Sequence, residues 1–230
     1  MAFSGFRPEG LDLMIQNRLM DSKPFYDEHK AEIKRLMQQP MAELIGEVSD
    51  AMREIDPLFV LVPSKMISRV RRDTRYTKDK TLYRDHMWCT FGRPKGEHDS
   101  RPCYYFEVMP ESWGYGSGYY KATPGELAVL REMILREDKR FLEAYAAVQA
   151  APRFSLYGEE FKRPKFPDAK AEYQSWLNKR NIGLSYSCFD FKPLFEGSFI
   201  EEMVRDLRAI APFYYFLCAV HESAEGGNAK

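Results

Sequence analysis

Residues 103–121 read CYYFEVMPESWGYGSGYYK, and this stretch is the clearest indication of the fold class. Its two runs, Cys103–Met109 and Trp113–Lys121, are short and rich in aromatic residues, which is typical of β-strands. The link Pro110–Ser112 between them is short enough for a hairpin. The stretch therefore predicts two antiparallel neighbours in a sheet.

Further strands are predicted on both sides of this hairpin. Met66–Arg72 and Met87–Gly92 precede it, and residues 185–191 follow it. Each run is short, is rich in β-branched or aromatic residues, and borders turn-forming loops. These runs together predict a sheet of about four to five strands.

Helical spacing of apolar residues predicts helices before and after the strands. Pro40 is expected to kink or split the second helix near residues 38–39 because it lacks an N–H group. Thr123 and Glu126 have the spacing of a capping box, and Pro212 is expected to kink the last helix. The predicted helical segments are residues 9–21, 24–52, 123–149 and 168–180, and a last helix that begins at Ser198.

This order of elements, with helices, then consecutive strands, then helices, is typical of an α+β protein. We predict a central antiparallel sheet flanked by N-terminal and C-terminal helices. With 230 residues, of which 44% are hydrophobic, the chain is expected to form a single α+β domain over residues 1–221. Residues 222–230 are predicted to be a flexible tail.

Several classes of function lack support in the sequence. The chain has no signal-peptide pattern, and its most apolar run, Ile210–Val220, is too short to span a bilayer. We therefore expect a cytoplasmic protein with no membrane partner. The four cysteines are widely spaced, the four histidines are scattered, and no motif for a metal or a cofactor is present, so none is predicted.

The segment 69–84, RVRRDTRYTKDKTLYR, is the most unusual feature of the chain. It carries five arginines, two lysines and two aspartates, a net charge of +5, whereas the 34 basic and 34 acidic residues of the whole chain balance. The remainder of the chain therefore has a net charge of −5. Such a concentration inside the chain indicates a binding surface for anions, a network of internal ion pairs, or both. In the last case some arginines hold the fold together while Arg75, Lys78 and Lys80 face solvent and a ligand.

The order of residues in this segment suggests how its charges are arranged. On a strand, Arg69 and Arg71 share one face and Arg72 lies on the other. Asp73 is placed to pair with Arg72 or Arg75. If the cluster is structural, acidic residues near it in sequence are expected to neutralise the arginines, and these are Asp85, Glu107 and Glu111.

Other residues are candidates for supporting roles. His86 lies beside Asp85 and is placed to shuttle protons, although a single histidine here is more often a turn or edge residue. Glu107 is a candidate for an ion pair or for acid–base chemistry. Gly114, Gly116 and Gly118 recur with period two and leave one strand face bare, which favours close packing of an aromatic ring, a helix or a ligand.

These motifs resemble a known family. The pattern RxxRDxRY over residues 69–76, followed by DKxxY over residues 79–83, is similar to the hallmark of domain-of-unknown-function family 2461, whose members are bacterial proteins with fungal relatives. Residues 114–120 and 25–30 also fit. The family usually has Phe where this chain has Tyr76, and a Trp-Phe pair is more typical than Phe25-Tyr26. The resemblance covers nearly the whole chain and implies a shared fold without naming an activity.

Three functions remain open from the sequence. The first is binding, with or without turnover, of a small phosphorylated or carboxylated anion at the arginine-rich segment. The second is a structural or interaction module in which the segment is a salt-bridge network. The third is nucleic-acid binding, which the neutral overall charge disfavours. The predicted ligand-binding residues are Arg69, Arg72, Arg75, Lys78, Lys80 and Tyr83, supported by Asp73, Tyr76, His86, Glu107 and the three glycines. The oligomeric state is not predicted.

Overall fold

A computed structural model describes residues 3–75, 77–94 and 101–227. The helices in this part of the chain are α1 (Pro8–Met20), α2 (Lys23–Ile33), α3 (Gln39–Ile55), α4 (Pro63–Met66), α5 (Pro124–Leu135), α6 (Lys139–Gln149), α7 (Gln174–Leu177), α8 (Lys192–Glu196), α9 (Ile200–Ala209) and α10 (Ala211–Gly227). The strands are β1 (Met87–Phe91), β2 (Cys103–Val108), β3 (Trp113–Gly118), β4 (Ser155–Tyr157) and β5 (Gly183–Cys188).

The five strands form one open antiparallel sheet in the order β1-β2-β3-β5-β4. At the edge formed by β4, Ser155 pairs with Ser185 of β5 and Tyr157 pairs with Gly183. The α+β class and the strand count predicted from the sequence are confirmed. The strand β4, which has only three residues, was not predicted.

Two helix predictions are confirmed in detail. A π-helical turn over Lys34–Gln38 separates α2 from α3, directly before Pro40. Proline has no N–H group to donate to the carbonyl four residues earlier, so a widened turn accommodates it. Thr123 caps α5 through the predicted box: its hydroxyl accepts from the Glu126 amide, while the Glu126 carboxylate accepts from the Thr123 amide.

Other element predictions are wrong. Residues 66–72 are not a strand, because Met66 ends α4 and only Ile67 and Arg71 make isolated bridges. The single helix predicted over residues 123–149 is broken between α5 and α6, where Glu137 has a left-handed backbone with φ of 55°. Between residues 168 and 180 the structure has only a 3₁₀ turn, Ala171–Tyr173, and the short α7.

The C-terminal boundary also differs from the prediction. The predicted interruption near Pro212 is present, because α9 ends at Ala209 and α10 begins at Ala211 after a break at Ile210. The end of α10 is what differs. This helix continues to Gly227, so the segment predicted to be a tail from residue 222 onward begins as helix. Residues 228–230 lie outside the described residues.

The chain divides into two compact units. The first unit comprises Met1–Phe91, Tyr105–Gly114 and Ser187–Val204, and the second comprises the intervening segments and Arg205–Lys230. The single domain predicted over residues 1–221 stays a prediction. In the part of the chain that the structure describes, no helix is long and apolar enough to cross a membrane.

The first unit contains α1–α4, which pack at close range. A Cβ atom on Gly10 of α1 would lie 2.8 Å from the Met37 sulfur and 3.0 Å from the Leu36 Cβ, both in the π-helical turn. The absence of a side chain at Gly10 thus allows α1 to contact the turn that Pro40 produces.

An aromatic cluster fills another part of the core of the first unit. The ring of Phe199 lies 4.6 Å from the ring of Trp113 and 5.5 Å from that of Phe106.

The second unit is built around α5, α6 and α10. Phe141 of α6 packs edge-on against Trp176 with ring centroids 5.4 Å apart, and the Tyr119 hydroxyl donates to the Leu217 carbonyl at 2.9 Å. The carboxylate of Glu126 is buried, and its second oxygen lies 2.7 Å from Nδ1 of His221 in α10. One side chain therefore caps α5 and joins it to α10.

Glu126→Ala is expected to lower the free energy of unfolding by about 3 kcal/mol, because it removes a cap and one partner of a buried pair together. The measurement is the midpoint of urea unfolding, followed by circular dichroism. Glu143→Ala is the matched control, since Glu143 lies on the surface of α6 in a 3.7 Å pair with Lys139. Equal shifts in the two variants would contradict the role assigned to Glu126.

Candidate functional site

Residues 69–84, called the arginine loop below, fold back on themselves in the first unit. Arg71 pairs with Tyr83 in an antiparallel bridge. The Arg72 amide donates to the Leu82 carbonyl at 2.7 Å, and the Arg84 amide donates to the Val70 carbonyl at 3.0 Å. The loop therefore has two paired arms, and the described residues 73–75 and 77–81 form the turn between them.

The carboxylate of Asp79 holds this turn against α1. It accepts hydrogen bonds from the Arg72 guanidinium, from Nη2 of Arg18 at 3.0 Å, and from the amide and hydroxyl of Thr81 at 3.0 and 2.7 Å. Arg72 first, and then Thr81 and Arg18, hold the pKa of Asp79 well below its usual range. Arg72, predicted to bind ligand, is thus engaged inside the protein, and its side chain is only 20% exposed.

Asp21, at the end of α1, fixes the second arm. One of its carboxylate oxygens accepts from the Leu82 amide at 2.6 Å and from the Tyr83 amide at 3.2 Å, while Nη1 of Arg18 donates to the Tyr83 carbonyl at 3.3 Å. Asp21 has a left-handed backbone with φ of 42°, which a short polar side chain tolerates better than most. The end of α1 and the arginine loop therefore form one connected structure.

Tyr83 lies in the core. It is 1% exposed, and its ring stacks on Tyr26 of α2 with centroids 4.8 Å apart. Burial, together with the nearby Tyr83, raises the pKa of Tyr26. The ligand-lining role predicted for Tyr83 conflicts with this burial.

Asp73 pairs with Arg75, one of the two partners predicted for it. Nη2 of Arg75 lies 2.7 Å from one oxygen of Asp73 and Nε lies 3.0 Å from the other. The hydrogen bonds from Arg75 lower the pKa of Asp73 to about 2. Both side chains are exposed, so solvent screens this pair.

Four other cations of the loop lie at its surface. Arg69 and Arg71 are exposed on either side of the buried Val70, as expected for alternating residues of an extended arm. The side chains of Arg69, Arg71 and Lys78 make no ion pair with any described residue. Lys80 is also exposed and donates to the Thr74 carbonyl at 2.9 Å.

Arg84 braces the arm that carries these arginines. Its Nη1 donates to the carbonyls of Arg69 and Arg71 at 3.0 and 3.1 Å, and its guanidinium carbon lies 4.8 Å from the centre of the Trp88 ring. His86 stacks on the same ring at 5.4 Å, and its Nδ1 lies 2.7 Å from a carboxylate oxygen of Asp85. The predicted supporting residue His86 thus lies next to the base of the loop.

Glu107 does not neutralise the loop. Burial raises the pKa of its carboxyl group, and the nearby His86 acts in the opposite direction. The arginines pair instead with Asp79 and Asp73, which belong to the loop itself. Among the described residues, none of the three expected carboxylates, Asp85, Glu107 and Glu111, forms an ion pair with the loop. Arg18 and Asp21 also belong to the site, although nothing in their local sequence indicated a contact about 60 residues away.

The predicted glycine positions are all buried in β3. A Cβ atom on Gly118 would lie 2.5 Å from the Gly183 Cα atom, and one on Gly183 would lie 2.4 Å from the ring of Tyr157. Close packing against the backbone of β5 therefore explains Gly118 without a ligand. Gly114 and Gly116 are likewise buried, and Tyr76 lies outside the described residues.

Comparison with known proteins gives one match. The model of the family described as conserved hypothetical protein (DUF2461) matches residues 10–216, which is most of the chain. No curated protein and no solved structure matches. Among the described residues, no group of three or more His, Cys, Asp or Glu side chains is arranged to hold a metal ion.

Asp79→Asn is expected to loosen the arginine loop without unfolding the protein, because it removes the charge that holds Arg18 and Arg72. Hydrogen exchange should show lower protection at Leu82 and Tyr83 in this variant than in the wild type. Asp73→Asn is the control, since Asp73 binds only the exposed part of the turn, and it should leave these two amides unchanged.

The protection that Asp79 gives to the Leu82 and Tyr83 amides is expected to decrease at low pH. Because the folded-state pKa of Asp79 is lowered, its contribution to stability is complete above the unfolded-state value of about 4 and is lost as the pH falls toward the folded value. The difference in protection between wild type and D79N should therefore be constant from pH 7 to about pH 5 and shrink below about pH 4. A difference that grows on acidification would contradict the assignment.

Proposed function

Since the chain belongs to the DUF2461 family of conserved hypothetical proteins, we propose that it binds a small phosphorylated or carboxylated anion at the exposed face of the arginine loop. The observation that carries this proposal is the division of the loop's charges. Both acidic side chains of the loop are engaged, Asp79 by Arg72 and Asp73 by Arg75. The net charge of +5 is therefore carried by the remaining basic side chains.

Arg69 and Arg71 are the central residues of the proposed site. A guanidinium group presents a planar fork of donors that matches a phosphate or carboxylate group through two hydrogen bonds. These two arginines alternate along one arm, so both side chains leave the backbone on the same face. Lys78 and Lys80 extend from the turn and add positive charge.

The fixed backbone of this arm also favours binding. Arg84 bridges the carbonyls of Arg69 and Arg71, and the opposite arm is held by Asp21. A site whose backbone is ordered before the ligand arrives loses less conformational entropy on binding.

The alternative function, in which the segment is a structural salt-bridge network, involves a different set of side chains. Arg18, Arg72 and Asp79 form the internal network, and replacing any of them should affect stability or loop order. Arg69, Arg71 and Lys78 have no part in that network, so its existence does not explain why the loop carries them. The two roles are therefore assigned to separate residues of one motif.

The double variant Arg69→Gln/Arg71→Gln tests the proposal. We expect it to weaken the binding of inorganic pyrophosphate and of citrate at least about tenfold, because each lost charge-assisted contact contributes roughly 1 kcal/mol or more. Isothermal titration calorimetry at low ionic strength is the measurement. The control is Arg53→Gln, which removes an exposed arginine of α3 that pairs with Asp50.

Two outcomes would overturn the proposal. One is wild-type protein that binds neither anion at low salt, where attraction between charges is strongest. The other is equal loss of binding in R53Q and in the double variant. Tighter binding of a short oligonucleotide than of pyrophosphate, with a steep dependence on salt, would favour the nucleic-acid alternative instead.

A further inference from the structure

A groove of about 590 Å³ lies within the second unit. One wall is formed by Leu135, the last residue of α5, and the two residues after it, and the other is the loop 165–170, with Tyr173 beside them. Its volume lies in the range of pockets that hold small molecules. It contains none of the residues of the arginine loop, so it is a separate candidate site.

The walls of this groove are fixed by hydrogen bonds in the protein itself. The side-chain amide of Gln174 donates to the carbonyls of Phe166 and Ala169 at 2.7 and 3.1 Å, and the Lys165 amide donates to the side chain of Asn178 at 3.3 Å. Two contacts to one carboxamide hold the loop in a defined shape. The groove is therefore formed before any ligand binds, which reduces the entropic cost of binding.

Tyr173 provides a rigid side of the groove. Its ring packs edge-on against Phe141 and Tyr145, with centroids 4.9 and 5.4 Å away, and its hydroxyl donates to the Glu137 carboxylate at 2.9 Å. Lys170 also binds this carboxylate. Glu137 is thus a clamp between the two walls, which gives a reason for its left-handed backbone at a position without glycine.

The basic side chains that line the groove differ in whether they form ion pairs. Lys170 is paired with Glu137, and Arg136 is paired with Glu132 and Asp138. Lys165 makes no ion pair with any described residue and lies 4.2 Å from the centre of the Phe161 ring. The exposed Asp168 is the remaining carboxylate on the lining. Lys165 is therefore the cation that an incoming negative group meets.

From this geometry we propose that the groove binds a small molecule with an apolar body and one anionic group. The apolar body lies on the side chains of Leu135, Phe166 and Tyr173, and the anionic group pairs with Lys165. A second acidic group would be repelled by Asp168, the exposed carboxylate of the lining. The groove thus selects a singly charged amphipathic carboxylate or sulfonate over the multivalent anions proposed for the arginine loop.

Anilinonaphthalene sulfonate, a fluorescent amphipathic anion, is the probe that tests this proposal. Titration of the folded full-length chain should show one saturable site. Lys165→Glu should weaken binding about three- to fivefold or more, as expected for loss and reversal of one exposed charge contact. Ala169→Trp should block the site by filling the groove. Lys162→Glu changes the charge of an exposed lysine that does not line the groove and should leave binding unchanged.

Circular dichroism and thermal melting of each variant separate a binding effect from a folding effect. Probe binding that is unaffected by both K165E and A169W, in variants that melt like the wild type, would overturn the proposal. So would the absence of probe binding to the folded wild type, or a K162E effect equal to that of K165E. Arg69→Gln/Arg71→Gln should bind the probe as the wild type does, and a large loss there would assign the probe to the arginine loop.

Discussion

The attraction between the Asp79 carboxylate and the guanidinium groups of Arg18 and Arg72 is the contact on which the loop depends. Seven basic side chains within sixteen residues repel one another, and an ordered loop requires negative charge at its centre. Asp79 supplies that charge, and it also accepts from the backbone and hydroxyl of Thr81. The loop is thereby ordered around one carboxylate that it contributes itself.

Once the turn is held, the positions of its neighbours follow. Asp21 receives the amides of Leu82 and Tyr83, and the ring of Tyr83 is buried against Tyr26. The second arm then supports the first, whose alternating residues place Val70 in the core and Arg69 and Arg71 in solvent. The same carboxylate that stabilises the loop therefore influences which of its cations remain exposed to solvent.

The sequence predicts those features of the fold that depend on local chemistry. The capping box at Thr123, the widened turn before Pro40 and the hairpin strands each follow from a few adjacent residues. The break between α5 and α6 was missed because no glycine or proline marks it. Its signal is Asp138, which caps α6 by accepting from the Arg140 amide, and this cap lies inside a continuous apolar pattern. The prediction of a strand at residues 66–72 was wrong, because this segment forms bridges with other segments only at Ile67 and Arg71.

The site was predictable in composition but not in its internal pairing. The charge pattern located the arginine loop and placed Arg69 and Arg71 on one face. Arg72 was placed on the other face but was still assigned to the ligand, because its partner Asp79 is also held by Arg18, which approaches from α1. Contacts between residues about 60 positions apart leave no periodic signal in a single sequence. For the same reason Tyr83 was assigned to the ligand although its ring belongs to the core.

Nuclear magnetic resonance of the arginine side chains tests this division of the loop most directly. The Nε–H signals, assigned by single Arg→Lys substitutions, report how strongly each guanidinium is restrained. The account predicts a dispersed, slowly exchanging signal for Arg72 and rapidly averaged signals for Arg69 and Arg71, which become restrained when pyrophosphate is added. Equal restraint of all three arginines in the absence of an anion would contradict it.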